Sequence, residues 1–166
     1  MSAFAEILES IGQEPVKKRA ITNQAVLNEA FAYAKPSSFS RGMRIDLNGL
    51  TILLISGTAS IDENGVSVHI GDFRAQMRRT LENITGLLAS EGCSWHDIVR
   101  TTCYLRDIER DYEAFNEERT AFFKEQGLDP LPASTGIQAI LCRPELLVEI
   151  EAIAMFVTKR DGTAKE

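Results

Sequence analysis

The sequence lacks the residues from which metal sites and disulfide frameworks are built. Its 166 residues include three cysteines and two histidines. Cys93, Cys103 and Cys142 are widely spaced and form no C-x-x-C pair, whereas structural zinc sites and disulfide scaffolds need closely spaced or paired sulfur ligands. We therefore expect neither a zinc site nor a disulfide framework. His69 and His96 are interpreted as structural or exposed residues.

The sequence also lacks a long apolar run and a basic stripe. No segment approaches the roughly 20 apolar residues that a membrane-spanning helix needs, and the first ten residues, MSAFAEILES, lack the basic start of a secretory signal. The formal net charge is -6, whereas a nucleic-acid binder needs clustered Lys and Arg to release counterions. We expect a cytoplasmic protein that binds neither membrane nor nucleic acid.

What the sequence does have is the composition of one globular domain. Hydrophobic residues make up 44% of the chain and charged residues 25%, which is typical of soluble proteins. A chain of this length can bury a core of its own. One domain with one principal site is the expectation.

The first 38 residues are interpreted as an N-terminal extension. Residues 3–12 (AFAEILESIG) have helical periodicity, and residues 24–34 (QAVLNEAFAYA) are a candidate second helix before Lys35 and Pro36. The extension either packs across a subunit or covers the domain, and the sequence leaves both open. We place the domain at residues 39–158 and a tail at 159–166.

From Met43 onward the pattern predicts strands and helices. Asn48 and Gly49 lie between two apolar runs, and this pair favours the two-residue turn of a β-hairpin. The other predicted elements are an extended stretch at 66–70 after a turn at 62–65, a helix capped by Asp72 and ending at Gly92, a capped turn at 94–97, a strand at 97–107, a helix at 108–126 that buries Tyr112, Phe115, Phe122 and Phe123, and strands at 134–142 and 146–157. The order predicts an α+β fold in which a single sheet carries two helices on one face. The other face is partly apolar, which favours association.

Several strings of the sequence, in order, resemble the Rid (YjgF-type) family over roughly residues 39–156. They are Ser56-Gly57 after a hydrophobic strand, DFRAQMRRTLENI from Asp72, VRTTCYLRD from Val99, Phe115-Asn116-Glu117 and VEIEAIA from Val148. The resemblance implies a chorismate-mutase-like fold, a homotrimer and ligand clefts between neighbouring subunits. It also implies hydrolysis of reactive enamines and imines, such as 2-aminoacrylate, to a keto acid and ammonia without metal or cofactor.

One string departs from the deaminating members of that family. Their Pro-Ala-Arg-Ser or Pro-Ala-Arg-Thr string holds an arginine that grips the substrate carboxylate. Here Ser134 stands at the arginine position, followed by Thr135, and a family Tyr and a family Cys appear as Phe39 and Gly136. With this clamp missing, ordinary 2-aminoacrylate deamination is not expected.

The resemblance implies that other pocket residues are retained. Ser56 and Gly57 would form a wall, Asn116 would lie on the second helix, and Glu149 would order or activate the attacking water. Strand alternation puts Glu149 on one face with Leu147. An unpaired carboxylate there costs several kcal/mol or takes up a proton, which favours a pocket position for Glu149 over a solvated edge.

Residues 134–152 also resemble the last part of the chorismatases. In those enzymes a Cys-Arg pair before Leu-Leu-Val-Glu lies at the chorismate pocket, which implies roles for Cys142, Arg143 and Glu149. The chain has no counterpart of the preceding half of a chorismatase, so full activity is not implied. From its surroundings, Cys142 is either a small packing residue or a reactive thiol. Arg143 is either a solvated turn residue or the cation missing at position 134.

These residues support two main hypotheses. In the first, the chain is a metal-independent hydrolase or deaminase of a small unsaturated acid, enamine or imine, with Glu149 as the catalytic group; chorismatase-like enol-ether hydrolysis is a variant. In the second, it is a non-catalytic trimer that binds a metabolite or a protein. An arginine directed into the cleft near Glu149 favours the enzyme. The substrate contacts are assigned to Phe39, Ser56, Gly57, Asn116, Ser134, Thr135, Gly136, Cys142 and Arg143.

Overall fold

The computed structural model describes residues 16–33 and 36–157. The predicted helix at 3–12 and the tail at 159–166 lie outside them. The strands are β1 (Lys17–Ala20), β2 (Gly42–Leu47), β3 (Leu50–Ala59), β4 (Ile98–Leu105), β5 (Ala133–Gln138) and β6 (Val148–Val157), and the helices are α1 (Phe73–Ser90) and α2 (Ile108–Glu125). Single 3₁₀ turns cover Ala30–Ala32 and Trp95–Asp97. No helix among the described residues is long and apolar enough to span a membrane.

The strands form one mixed sheet in the order β1-β2-β3-β6-β4-β5. All neighbours are antiparallel except β4 and β5, which are parallel. The predicted hairpin is confirmed as β2 and β3, and its turn residues Asn48 and Gly49 have φ angles of 49° and 86°. Glycine tolerates this left-handed conformation without the steric penalty that a Cβ brings. The hairpin places β3 beside β6, the strand that carries Glu149.

Side-chain caps begin the two helices where the sequence predicts them. The Asp72 carboxylate accepts a hydrogen bond from the Ala75 backbone N–H at the start of α1, and Asp107 does the same with Arg110 at the start of α2. Such caps satisfy amide groups that have no partner inside the helix. The capped turn at 94–97 is confirmed as a reciprocal capping box between Ser94 and Asp97.

The core lies between one face of the sheet and the two helices. On β6 the buried residues alternate with the glutamates, so Glu149 and Glu151 belong to the other face. One continuous cluster joins residues of both helices with the core-facing residues of β3, β4 and β6. The α+β expectation is confirmed. The core includes Leu53, Ile55, Met77, Ile84, Leu88, Cys103, Phe115, Phe123, Val148, Ile150 and Ala152.

The predicted helix at 24–34 is wrong. The described part of this stretch forms a turn closed by a bridge between Asn23 and Leu27, followed by the 3₁₀ turn. Leu27 and Ile21 are fully buried in the core, and the Asn23 side-chain amide donates to the Gly86 carbonyl oxygen at 3.0 Å. These tertiary contacts outweigh the local helical preference. Upstream of them, β1 adds an edge strand that the sequence reading missed.

Three smaller expectations also differ from the structure. Tyr112 is 53% exposed, because the neighbouring Asp111 occupies the buried position and pairs with Arg110. The stretch 66–70 makes a single bridge, between Ser67 and Ile61, rather than a strand. The strand predicted at 134–142 is displaced by one residue at its start and ends at Gln138, because the chain turns so that Leu141 joins a small cluster with Ala59 and Leu146.

Replacing Leu27 by Ala tests whether the segment before the hairpin belongs to the folded core. Leu27 is 0% exposed, so truncation should lower the free energy of unfolding by about 2–5 kcal/mol. Urea denaturation measures the change. Leu131→Ala removes the same atoms from a side chain that is 65% exposed and should cost much less. Equal effects of the two variants would contradict the packing of this segment.

Candidate functional site

A cavity of about 680 Å³ lies beside Glu149. Its walls come from three stretches of chain, within residues 33–41, 56–66 and 142–149. Cavities of this size are typical of small-molecule sites. Six of the ten predicted site residues line it: Phe39, Ser56, Gly57, Cys142, Arg143 and Glu149.

Glu149 occupies an interior position of the sheet. It pairs with Ala59 of β3 on one side and with Tyr104 of β4 on the other, and its carboxyl lies against Gly57, where an added Cβ would overlap a carboxyl oxygen. Burial raises the pKa of the Glu149 carboxyl, with a smaller contribution from the charge of Glu151 and an opposing one from Cys142. Such a carboxyl holds its proton at a higher pH than an ordinary glutamate and can act both as a proton donor and, once ionised, as a proton acceptor.

An irregularity in β3 makes room for this carboxyl. The pairing of β3 with β6 shifts register between Ile55 and Thr58, so Ser56 and Gly57 lie in a bulge. The Ser56 amide donates to the Arg41 carbonyl oxygen at 3.0 Å, and its hydroxyl donates to the Ser40 carbonyl oxygen at 2.7 Å. Bulges commonly re-aim backbone and side chains beside functional sites. Here the bulge leaves a glycine at the position that the carboxyl approaches.

Two arginines line the same cavity around one tyrosine ring. The guanidinium carbon of Arg41 lies 5.0 Å from the centre of the Tyr33 ring, and that of Arg143 lies 5.3 Å from it. The Arg41 carbon is also 5.5 Å from the centre of the Phe39 ring. These distances allow cation–π attraction. Within residues 16–33 and 36–157, no carboxylate lies within ion-pair distance of either guanidinium.

Sequence reasoning missed Tyr33 and Arg41. A signal for Arg41 was present, because it follows the wall residue Phe39 by two positions, the spacing at which extended chain returns to the same side. The residue predicted to replace the missing cation was Arg143. Tyr33 had no comparable signal, since it was assigned to a helix that the structure does not contain.

The other four predicted site residues lie on a different surface of the chain. Ser134, Thr135 and Gly136 are on β5, whose six residues are all exposed, and Asn116 is on the facing side of α2. Arg119 joins them: it donates to the Ser134 hydroxyl at 3.0 Å and to the Asn116 side-chain oxygen at 2.7 Å. A single chain therefore does not bring these four residues to Glu149.

The cavity corrects the interpretation of Cys142 as a packing residue. Cys142 is exposed, and its sulfur lies 3.9 Å from a carboxyl oxygen of Glu149. Arg143 is half-buried rather than solvated, and it donates to the Gly65 carbonyl oxygen at 2.8 Å and to the Ser67 hydroxyl at 3.1 Å. Across the part of the chain that the structure describes, no cluster of three His, Cys, Asp or Glu side chains could hold a metal ion.

Comparison with known proteins assigns the chain to a family. The model of the family described as endoribonuclease L-PSP matches residues 32–156, which is 125 of the 166 residues. A solved structure of the Rid-family protein YyfA from Yersinia pestis is 29% identical, with a TM-score of 0.66 over 83% of this chain and 98% of that chain. The chain belongs to the YjgF-type Rid family.

Other members of the Rid family are similar over most of their length. The 3-aminoacrylate deaminase RutC of Acinetobacter baylyi is 37% identical over 103 residues, which span 62% of this chain and 78% of that protein. The structure of E. coli TdcF with bound serine is 25% identical, with a TM-score of 0.65 over 82% of this chain and 97% of that chain. Residues 16–31, which pack on the sheet here, precede the part that the family model matches.

The three cysteines should react with a neutral alkylating reagent in the order of their exposure. Cys142 is exposed, Cys103 is buried, and burial raises the pKa of Cys93 to about 12. Because the thiolate is the reactive form, iodoacetamide should label Cys142 first, as read by peptide mass spectrometry, and Cys142→Ser should lose the fast phase. First labelling at Cys93 or Cys103 in the native protein would contradict the cavity described above.

Proposed function

We propose that this Rid-family chain is a metal-independent hydrolase of a carboxylic acid that carries an enamine or imine group. The observation that carries the proposal is the meeting of a partly buried carboxyl, Glu149, with two arginines in one cavity. A binding module needs the arginines but has no use for a carboxyl whose pKa burial raises. The name of the relative RutC, a 3-aminoacrylate deaminase, agrees with this reaction class.

The proposed reaction uses both protonation states of Glu149. The protonated carboxyl gives its proton to the carbon of an enamine, or to the nitrogen of an imine, and an iminium ion results. The carboxylate then removes a proton from a water molecule as its oxygen bonds to the iminium carbon. Transfer of that proton to the nitrogen of the resulting carbinolamine breaks the C–N bond, and as ammonia leaves, the carbinolamine hydroxyl returns its proton to Glu149 and the keto acid remains. Every proton that Glu149 gives it later recovers, and no redox step is involved.

The substrate is proposed to differ from 2-aminoacrylate. Ser134 stands at the family's arginine position, and the arginines of the cavity approach from other directions. A larger acid uses the aromatic wall of Tyr33 and Phe39.

The working assembly is proposed to be a homotrimer with the site at the cleft between subunits. The exposed strand β5 and its neighbours Leu131 and Ile140, which are 65% and 96% exposed, support association of this edge with another copy. Such a contact can place Asn116 and Ser134 of one subunit opposite the cavity of the next, which a single chain does not do. The protein is proposed to be cytoplasmic.

A second candidate reaction is the hydrolysis of an enol ether. The observation that favours it is the joint presence of Cys142, Arg143 and Glu149 in one cavity, as the resemblance to the chorismatases implies. Glu149 would protonate the methylene carbon, water would add to the resulting oxocarbenium carbon, and the alcohol would leave as the keto acid forms. Acceptance of enol ethers and rejection of imines would select this reaction.

Replacing Glu149 by Gln tests the proposal. Imines generated in the assay by an amino-acid oxidase from alanine, leucine and phenylalanine offer acids of increasing size, and keto-acid formation above the spontaneous rate is measured. The variant should lose roughly 100-fold or more of this acceleration. In the wild type the acceleration should persist to a higher pH than an ordinary carboxyl acid allows, and should fall as pH rises through the raised pKa of Glu149.

Glu113→Gln is the matched control, because it makes the same change at an exposed position of α2 and should leave the rates unchanged. Light scattering on each variant checks that the assembly mass stays at three times the 18.4 kDa chain. Full acceleration by Glu149→Gln would contradict the catalytic role. Saturable ligand binding without acceleration of any imine or enol ether would instead support the non-catalytic trimer.

A further inference from the structure

We infer that Arg41 and Arg143 together bind the carboxylate of the ligand, and that the segment at residues 28–33 holds Arg41 in place for this purpose. The inference rests on the proposed function in that it names the substrate class of the same cavity, a carboxylic acid with an apolar or aromatic body. It assigns the anion-binding group to a residue that lies far in sequence from Ser134.

Arg41 is a buried cation with its position fixed on one side. It is 3% exposed, and its Nε donates to the Asn28 carbonyl oxygen at 2.9 Å. Its Nη2 donates to the same oxygen and to the Tyr33 hydroxyl. Among the described residues its Nη1 has no hydrogen-bond partner. The unused Nη1 is not among the fully buried unpartnered atoms and Arg41 lines the cavity, so this donor is open to a ligand there.

Arg143 approaches the same ring from another part of the chain. Its Nη1 is used by the Gly65 carbonyl oxygen and the Ser67 hydroxyl, while Nη2 and Nε have no partner in residues 16–33 and 36–157. The close packing of Gly65 against the Tyr33 ring, where a Cβ would overlap ring carbons, keeps this wall together. The two guanidinium groups thus flank Tyr33, and three of their nitrogens, Nη1 of Arg41 and Nη2 and Nε of Arg143, have no hydrogen-bond partner. A carboxylate can accept hydrogen bonds from a pair of such donors.

The nearby acids leave this positive charge available to a ligand. Glu29 is 3% exposed and attracts Arg41 electrostatically, but it lies beyond ion-pair distance and its Oε1 has no hydrogen-bond partner. Glu145 is drawn to Arg143 but bonds mainly to Ser67. Glu149, the remaining acid on the cavity wall, is neutral when it carries its proton. Glu29 and Glu145 therefore offset only part of the positive charge of the two guanidinium groups, and the remainder can attract a bound carboxylate.

The body of the ligand follows from the remaining walls. Tyr33 and Phe39 offer aromatic faces, and Val66, Ile61 and Leu146 add aliphatic surface. Aromatic and aliphatic walls with a few convergent donors are typical of sites for ring-bearing or branched acids. Of the two residues that hold Arg41, Asn28 precedes the part that the family model matches and Tyr33 lies within it.

Calorimetric titration with benzoate and its neutral counterpart benzamide tests the inference on the full chain. Wild type should bind benzoate saturably and benzamide at least tenfold more weakly. Arg41→Gln and Arg143→Gln should each weaken benzoate binding by roughly 10- to 100-fold, and Arg41→Lys, which keeps the charge but not the planar fork, should fall between. Lys18→Gln removes one positive charge at an exposed position of β1 and should change the affinity less than about twofold.

Because Arg41 is buried, thermal unfolding first establishes that its variants fold, and Arg143→Gln provides the test if they do not. Equal binding of benzoate and benzamide, unchanged affinity in Arg143→Gln, or no benzoate binding to wild type would each overturn the inference. Glu149→Gln separates it from the proposed function. If Glu149→Gln retains both benzoate binding and imine hydrolysis, the proposed function is overturned and the pair of arginines is still supported as the carboxylate site. If Glu149→Gln loses hydrolysis but benzoate binding does not depend on either arginine, the carboxylate site is overturned and the proposed function stands.

Discussion

The partial burial of the Glu149 carboxyl against Gly57 is the constraint on which the rest of the site depends. The alternation of β6 turns this residue away from the core that Val148 and Ile150 fill, and the bulge in β3 leaves a glycine where any Cβ would collide with it. Burial then raises the pKa of the carboxyl. A proton donor and acceptor in the middle of a rigid sheet is positioned without a flexible loop, which is how a fold preorganises proton transfer.

The second requirement of the site is to bind the anionic group of the ligand, and residues outside the strands and helices meet it. Arg41 precedes β2 and Arg143 lies in the turn before β6, and both pack on Tyr33. Tyr33 follows a segment whose buried residues Ile21 and Leu27 join the main core. Because this segment leads to Tyr33, on which both arginines pack, its folding also fixes the positions of the two guanidinium groups. In this family member, selectivity is proposed to reside in loops and this segment, while the proton-transferring group stays on the sheet.

The sequence predicted the elements whose signals are local. Asn48 and Gly49 specify the hairpin turn, Asp72 caps α1, and alternation places Glu149 off the core, because each depends on neighbouring residues alone. The segment at 24–34 was assigned wrongly because Leu27 and Ala30 satisfy a helical pattern but are buried by partners distant in sequence. For the same reason Arg41 was overlooked: its neighbours in the cavity come from residues 28–33 and 142–149. The two family resemblances named ten site residues, of which six line one cavity, whereas Asn116 and Ser134 lie apart from it within one chain.

The most direct test of the central claim is the titration of Glu149 itself. Carbon-13 NMR of the side-chain carboxyl, assigned by the signal missing in Glu149→Gln, follows its ionisation as pH is varied. Because burial disfavours the charged form, the midpoint should lie above that of a glutamate in a short unstructured peptide measured in the same buffer. A midpoint for Glu149 at or below that of the peptide glutamate would contradict a desolvated, protonatable carboxyl and, with it, the proposed chemistry of the cavity.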